Sequence, residues 1–304
     1  MNHLVGRWRA LVLIGAGIVN GCATSSLPPS PTIDPPLTEA IVELASGTVF
    51  YMDSGGKGIP VVFLHPNNPR MWQKQLAAFA RAGYRVIAID SRNRTPGATD
   101  PVPAAGSVAR IEDLTERLGL PRFHLVGTGG GSVVAIQFGI AHPNKVRSVV
   151  ITNSLGGLRD PQLNALELSL RPQGFNQLPQ EFRELSGSYR AADPEGVERW
   201  LSMEEDGRNA VSPRPASAAS SQSAPPPAPP NPHEVTFAKL DSWEIPTLII
   251  TGDADLYTPP SVMRMFAAHL RRGQGAVIAE SGHNAYWENP TAFNHEVLAF
   301  VAKY

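Results

Sequence analysis

Short, continuously apolar runs alternate along this chain with stretches whose apolar positions recur every three to four residues. The runs Ile59-Pro-Val-Val-Phe-Leu64, Arg85-Val-Ile-Ala-Ile-Asp90, Arg122-Phe-His-Leu-Val-Gly127, Val146-Arg-Ser-Val-Val-Ile-Thr152, Thr247-Leu-Ile-Ile-Thr251 and Ala276-Val-Ile-Ala279 predict strands. Between them, Met71 to Arg81, Val108 to Leu118, the segment from the glycines after Gly127 to His142-Pro143, Pro260 to Arg271 and Pro290 to Tyr304 predict helices. Strands apolar on both faces that alternate with helices imply an α/β fold: a mostly parallel sheet covered on both sides and wound by right-handed crossovers.

The alternation stops between residues 155 and 243. There Leu178-Pro-Gln-Glu-Phe-Arg-Glu-Leu-Ser186 and Asp193-Pro-Glu-Gly-Val-Glu-Arg-Trp-Leu-Ser-Met203 predict short helices with Pro near their starts. Residues 212–232 are almost wholly Pro, Ala and Ser and predict a disordered loop. The insert reads as a small helical cap that interrupts a core formed by 37–154 and 244–304.

The first residues are not part of that fold. Arg7 and Arg9 precede a short apolar run, Leu11 to Val19, which ends at Asn20-Gly-Cys22. The run is short for a bilayer span and has the flanks of an export signal. Cys22 is the only cysteine, so neither an intrachain disulfide nor a cysteine-based zinc cluster can form. Val19-Asn-Gly-Cys22 resembles the lipobox of bacterial lipoproteins. The resemblance implies cleavage after residue 21 and a lipid anchor on Cys22; Ala23 at the next position implies the outer membrane. Residues 23–36 are Ser/Pro-rich and read as a tether. The alternative is an ordinary cleaved export signal, or an N-terminal anchor, with an incidental cysteine. Over all 304 residues, 42% are hydrophobic and 17% charged, and the net charge of −1 gives no case for a nucleic-acid partner.

In an open parallel sheet ligands bind beyond the carboxyl ends of the strands, and four such ends carry candidate chemistry: Phe63-Leu-His-Pro-Asn-Asn68, Leu125-Val-Gly-Thr-Gly-Gly-Gly-Ser132, Gly252-Asp-Ala-Asp-Leu-Tyr-Thr-Pro259 and Ser281-Gly-His-Asn-Ala-Tyr-Trp-Glu-Asn-Pro290. Taken in this order they resemble the oxyanion loop, nucleophile elbow, acid loop and histidine loop of the α/β-hydrolase superfamily, over about 45–155 and 245–304. The resemblance implies Asp255 as the triad acid, His283 as general base, and N–H groups of Asn67 and Gly130 as oxyanion donors. Pro66 stands where that family usually has Gly. It implies, too, that His65 braces its loop. Residues 178–204 and the Tyr286-Trp-Glu288 segment resemble the capped branch that includes esterases, lactonases and ring-cleavage C–C hydrolases, which implies a small carbonyl substrate.

The register places Gly129, not Ser, at the nucleophile position. Glycine cannot form an acyl-enzyme. Thr128 and Ser132 are the neighbouring hydroxyls. One expectation is an enzyme in which His283 and Asp255 activate water or an acidic substrate hydroxyl without covalent catalysis. The other is a pseudohydrolase that binds a ligand at the envelope. Gly127-Thr-Gly-Gly-Gly131 lacks full dinucleotide spacing, and the residues predict neither cofactor nor metal. Asp253 reads as a turn residue, His124 as a core histidine, and Arg92 and Arg94 as loop braces. Trp200, Met203 and Phe182 either line the site or form the cap's own core.

Overall fold

The structure, a computed structural model, describes residues 36–95, 103–158, 160–210, 231 and 233–304. Cys22, the tether up to residue 35 and residues 212–230 lie outside the described residues. The first half of the fold runs β1 (Thr38–Leu44), β2 (Gly47–Asp53), β3 (Pro60–Leu64), α1 (Gln73–Arg81), β4 (Arg85–Asp90), α2 (Pro103–Arg117), β5 (Phe123–Thr128), α3 (Gly130–Ala141) and β6 (Val146–Thr152). Four helices then form the cap: α4 (Pro161–Leu170), α5 (Gln180–Glu184), α6 (Gly187–Ala192) and α7 (Pro194–Asn209). The core resumes with α8 (Phe237–Asp241), β7 (Thr247–Gly252), α9 (Pro260–Ala267), β8 (Gly273–Ile278), α10 (Ala285–Glu288) and α11 (Pro290–Val301).

The strands make one sheet in the order β1-β2-β4-β3-β5-β6-β7-β8. The steps from β4 through β8 are parallel; β1–β2 and β2–β4 are antiparallel. The hydrophobic pattern predicts no strand before Ile59, yet the structure has two. They form an edge hairpin whose outer strand is only half covered, with Ile41 70% exposed, so β1 lacks the apolar run of a central strand. Likewise α4 was not predicted, since only Leu163 of its residues is fully buried.

Alternate residues of each central strand feed two cores, one per face. Val62, Leu64 and Leu125 pack with Phe138 and Phe266; Val61, Phe63 and Val126 pack with Trp72, Phe79, Trp287 and Phe300. The cap docks on the second of these through Leu185, Tyr189 and Trp200. Polar contacts fix it further: the Ser186 N–H donates to Glu288 (2.8 Å) and the Asn68 side-chain amide donates to the Met203 carbonyl (2.9 Å). Among the described residues no helix is long and apolar enough to cross a membrane.

Candidate active site

The turn from β5 into α3 is closely packed against the neighbouring backbone. A Cβ on Gly127 would lie 2.6 Å from the Gly131 backbone, and one on Gly131 would lie 2.2 Å from the Leu64 carbonyl oxygen. Strand and helix therefore approach at a distance only glycine permits. Gly129, between them, has φ +50° and ψ −120°, a conformation that L side chains rarely adopt. This is the strained geometry of a strand–nucleophile–helix elbow, held here by a residue with no side chain. Space for a side chain exists: a Cβ at Gly129 would meet only Pro66 Cγ, at 3.7 Å.

His283 and Asp255 come together across the loops that follow β8 and β7. The His283 Nδ1 lies 3.0 Å from both carboxylate oxygens of Asp255. Asp255 is in turn fixed by the N–H groups of Tyr257 and Thr258 and by the Thr258 hydroxyl. Burial alone would lower the His283 pKa, but the Asp255 carboxylate, with Glu184 and Glu288 behind it, outweighs burial and holds it at about 9. The imidazole is thus cationic at neutral pH. Burial acts to raise the Asp255 pKa, and the His283 charge and the hydrogen bonds to Asp255 more than offset it, leaving the carboxyl below its ordinary value.

A cavity of 140 Å³ lies over this turn, lined from the core by His65, Pro66, Asn67, Thr128, Gly129, Asn153, His283 and Asn284. The cap contributes Gln180, Glu184, Trp200 and Glu204. A second cavity of 250 Å³ shares Asn153 and His283 with it. Trp200 therefore lines the site, whereas Phe182 is exposed beneath the Arg190 guanidinium, and Met203 packs against the core.

One expected donor is not offered to this cavity. The Asn67 N–H, with that of Asn68, is directed at His65 Nδ1 (3.1 and 2.9 Å), so the oxyanion role expected of Asn67 is corrected. The loop around Pro66 curls back on His65, whose Nε2 meets the Tyr286 hydroxyl at 3.0 Å. His65 is buried and neutral, with a pKa of about 3 set by burial and by Arg92. It braces the loop. Gly130 opens the 12-residue helix α3. Its N–H belongs to the first turn, which has no acceptor within the helix.

The neighbouring hydroxyls separate clearly. Ser132 is fully buried and donates to the carbonyls of Gly127 and Thr152. It is a structural pin between strand and helix. Thr128 lines the cavity, but its Oγ1 already accepts from the Asn153 side chain (3.1 Å). His124 is a core histidine, bonded through Nδ1 to Ser148. Asp253 accepts the Ser281 N–H and so ties two loops together. Arg92 and Arg94 both pair with the fully buried Asp90 and brace its loop.

Three lining residues carry no local sequence signal. Asn153 follows β6, where the rule of strand carboxyl ends pointed without singling it out; it has φ +61°. Glu204 sits one helical turn after Trp200 on α7, so the two share a face. Glu184 ends α5, and its Oε2 lies 4.0 Å from His283 Nε2. No metal-binding group of His, Cys, Asp and Glu occurs among the described residues.

Comparison with known proteins agrees with this fold. The profile of the alpha/beta hydrolase fold family matches residues 59–290. A 2-hydroxy-6-oxononadienedioate/2-hydroxy-6-oxononatrienedioate hydrolase of Cupriavidus pinatubonensis is 27% identical over 277 residues, covering 82% of this chain and 89% of that protein. A thermophilic esterase from Thermogutta terrifontis superposes with a TM-score of 0.67 at 20% identity, covering 88% of this chain and 98% of that one. The enol-lactonase from Burkholderia xenovorans superposes with a TM-score of 0.65 at 16% identity, covering 86% and 100%. By its sequence profile and its sheet topology, this chain belongs to the α/β-hydrolase fold family.

Proposed function

We propose that this protein hydrolyses a small carbonyl compound, an ester, a lactone or a C–C bond next to a ketone, by direct attack of water. The His283–Asp255 dyad acts as general base, and no acyl-enzyme forms. The observation that carries this reading is the dyad itself: Nδ1 held at 3.0 Å by a buried carboxylate, on a ring that lines the cavity over Gly129. Relatives with hydrolase names support the reaction class. In this mechanism His283 Nε2 takes the proton of a water as its oxygen attacks the carbonyl carbon. The Asp255 carboxylate keeps the proton on Nδ1 and stabilises the imidazolium. The developing oxyanion is received by the Gly130 N–H at the positive end of α3. Collapse returns the proton from His283 to the leaving group.

A pKa of about 9 fixes how the rate depends on pH. The base form grows about tenfold per pH unit below that value. Turnover of a panel of esters, lactones and diketones should therefore climb from pH 7 and level off above about 9. His283→Ala should lose it at every pH, while Thr128→Ala keeps most of it. Failure of the whole panel, alongside tight binding of one member, favours the second reading, a pseudohydrolase that captures a ligand. That reading is favoured by one observation: the Asn67 N–H is turned away from the cavity. Lipid anchoring through Cys22 belongs to the same proposal and locates either activity at a bacterial envelope; mass spectrometry of the membrane-extracted N-terminal peptide tests it.

A further inference from the structure

We propose that Tyr257 is a positioning residue for the reaction: gripped by the cap, its ring holds the His283 imidazole in place beside the cavity over Gly129. The proposal rests on the reading of His283 as general base and adds the residue that keeps its ring aimed. Asp255 fastens that ring at one atom, Nδ1, with both carboxylate oxygens at 3.0 Å. The reacting atom is Nε2. Among the described residues none hydrogen-bonds it, and the cap carboxylate of Glu184 stands 4.0 Å away. A cationic imidazole is attracted toward that carboxylate. The direction of Nε2 is therefore left to packing.

Tyr257 supplies that packing. Its ring lies against the imidazole, with centroids 4.5 Å apart and planes inclined at 42°. The tyrosine is itself held by the cap segment that joins α4 to α5 and by α5. The Phe175 ring meets it edge-on, at a centroid distance of 4.8 Å and an angle of 79°. The Arg171 guanidinium lies 5.0 Å from its ring centroid. Arg183 donates to its hydroxyl at 2.9 Å. The backbone of Tyr257 is fixed as well, because its N–H donates to Asp255 at 2.8 Å. One residue thus braces both members of the dyad, the acid through its backbone and the base through its ring. A wall of this kind restricts the base to one orientation, which is how a well-placed neighbour raises a rate without touching the substrate. The same ring passes the docking of the cap on to His283.

The first readout needs no turnover. The ring-proton resonances of His283 are followed by NMR in the full chain carrying isotope-labelled histidine, and are assigned as those missing from His283→Ala. They are recorded at about pH 6, where His283 is charged. The ring current of Tyr257 should hold them upfield. Tyr257→Leu should move them downfield, and Tyr257→Phe, which keeps the ring, should leave them near their wild-type positions. Phe175→Leu, a change in the cap, should shift them in the wild-type background and not in Tyr257→Leu, since the tyrosine is the link. The second readout is turnover of the ester, lactone and diketone panel. Tyr257→Leu should lower kcat about tenfold, and by more than it raises KM, while Tyr257→Phe should recover most of the loss. Resonances that stay in place in Tyr257→Leu overturn the proposal, as does a wild-type kcat in that variant or a loss carried by KM alone. If Tyr257→Leu does not fold, Phe175→Leu decides: unmoved His283 resonances overturn the proposal. Absence of turnover by wild type contradicts the hydrolytic reading, and the resonances then decide separately whether Tyr257 holds the ring.

Discussion

Position 129 combines two properties seldom found together: backbone in the strained form of a nucleophile elbow and a residue that cannot be a nucleophile. Since a Cβ there has only Pro66 Cγ near it, at 3.7 Å, a serine fits sterically. Its cost is backbone strain of about 1–3 kcal/mol. Gly129→Ser should therefore lower stability by roughly that amount. It should also make the chain reactive toward a fluorophosphonate or a p-nitrophenyl ester, with a burst of one equivalent, because His283 and Asp255 are already paired. Absence of any labelling of a folded Gly129→Ser protein means that the dyad is not aimed at the elbow. At this scale the sequence was informative where a residue acts within its own motif. Gly129, Asp255 and His283 were each legible from strand-end position and neighbours. The Asn67 N–H was not, because Pro66 redirects the loop onto a ring two residues away, and that depends on backbone angles no motif records.

Among the elements, β5 and α3 set the site and the cap finishes it. The close approach of β3 and α3 demands glycine at 131, where a Cβ would stand 2.2 Å from the Leu64 carbonyl oxygen. A backbone atom cannot swing aside as a side chain can. Gly131→Ala should cost about 1–3 kcal/mol or more through overpacking, read as a lower urea midpoint with an unchanged slope. An unaffected midpoint means that β3 and α3 sit further apart than described. The central strands and their helices were legible because burial on both faces leaves a continuous apolar run. The edge strands β1 and β2 were not, since a half-solvated hairpin lacks that run. Trp200, Glu204 and Glu184 reach the site only through the docking of the cap, a long-range event that leaves no local pattern.

For the whole molecule, three histidines shape stability against pH, two of them buried and His283 partly so. His65 and His124 are held neutral, with pKa values of about 3 and about 4, chiefly by burial. Each folded pKa lies below the unfolded value of about 6.5. The unfolded chain thus binds more protons as pH falls below that value, and stability drops from about 6.5 toward 4 and 3. His283 has the opposite sign. Its folded pKa of about 9 lies above the unfolded one, so its contribution is full below about 6.5 and is lost as pH rises through 9. At about 1.36 kcal/mol per unit, that loss is on the order of 3 kcal/mol. Urea midpoints from pH 4 to 10 should therefore fall on both sides of neutrality, and His283→Gln should flatten the alkaline limb. An unchanged alkaline limb in that variant contradicts the placement of His283 beside Asp255.

The proposed mechanism is water attack without a covalent intermediate, and intact-mass spectrometry during steady-state turnover of an ester reads this directly. Quenched samples of the full chain should show only the unmodified mass while product accumulates, and His283→Ala should form no product. A population heavier by the acyl group, mapped to Thr128 or any other side chain, contradicts it.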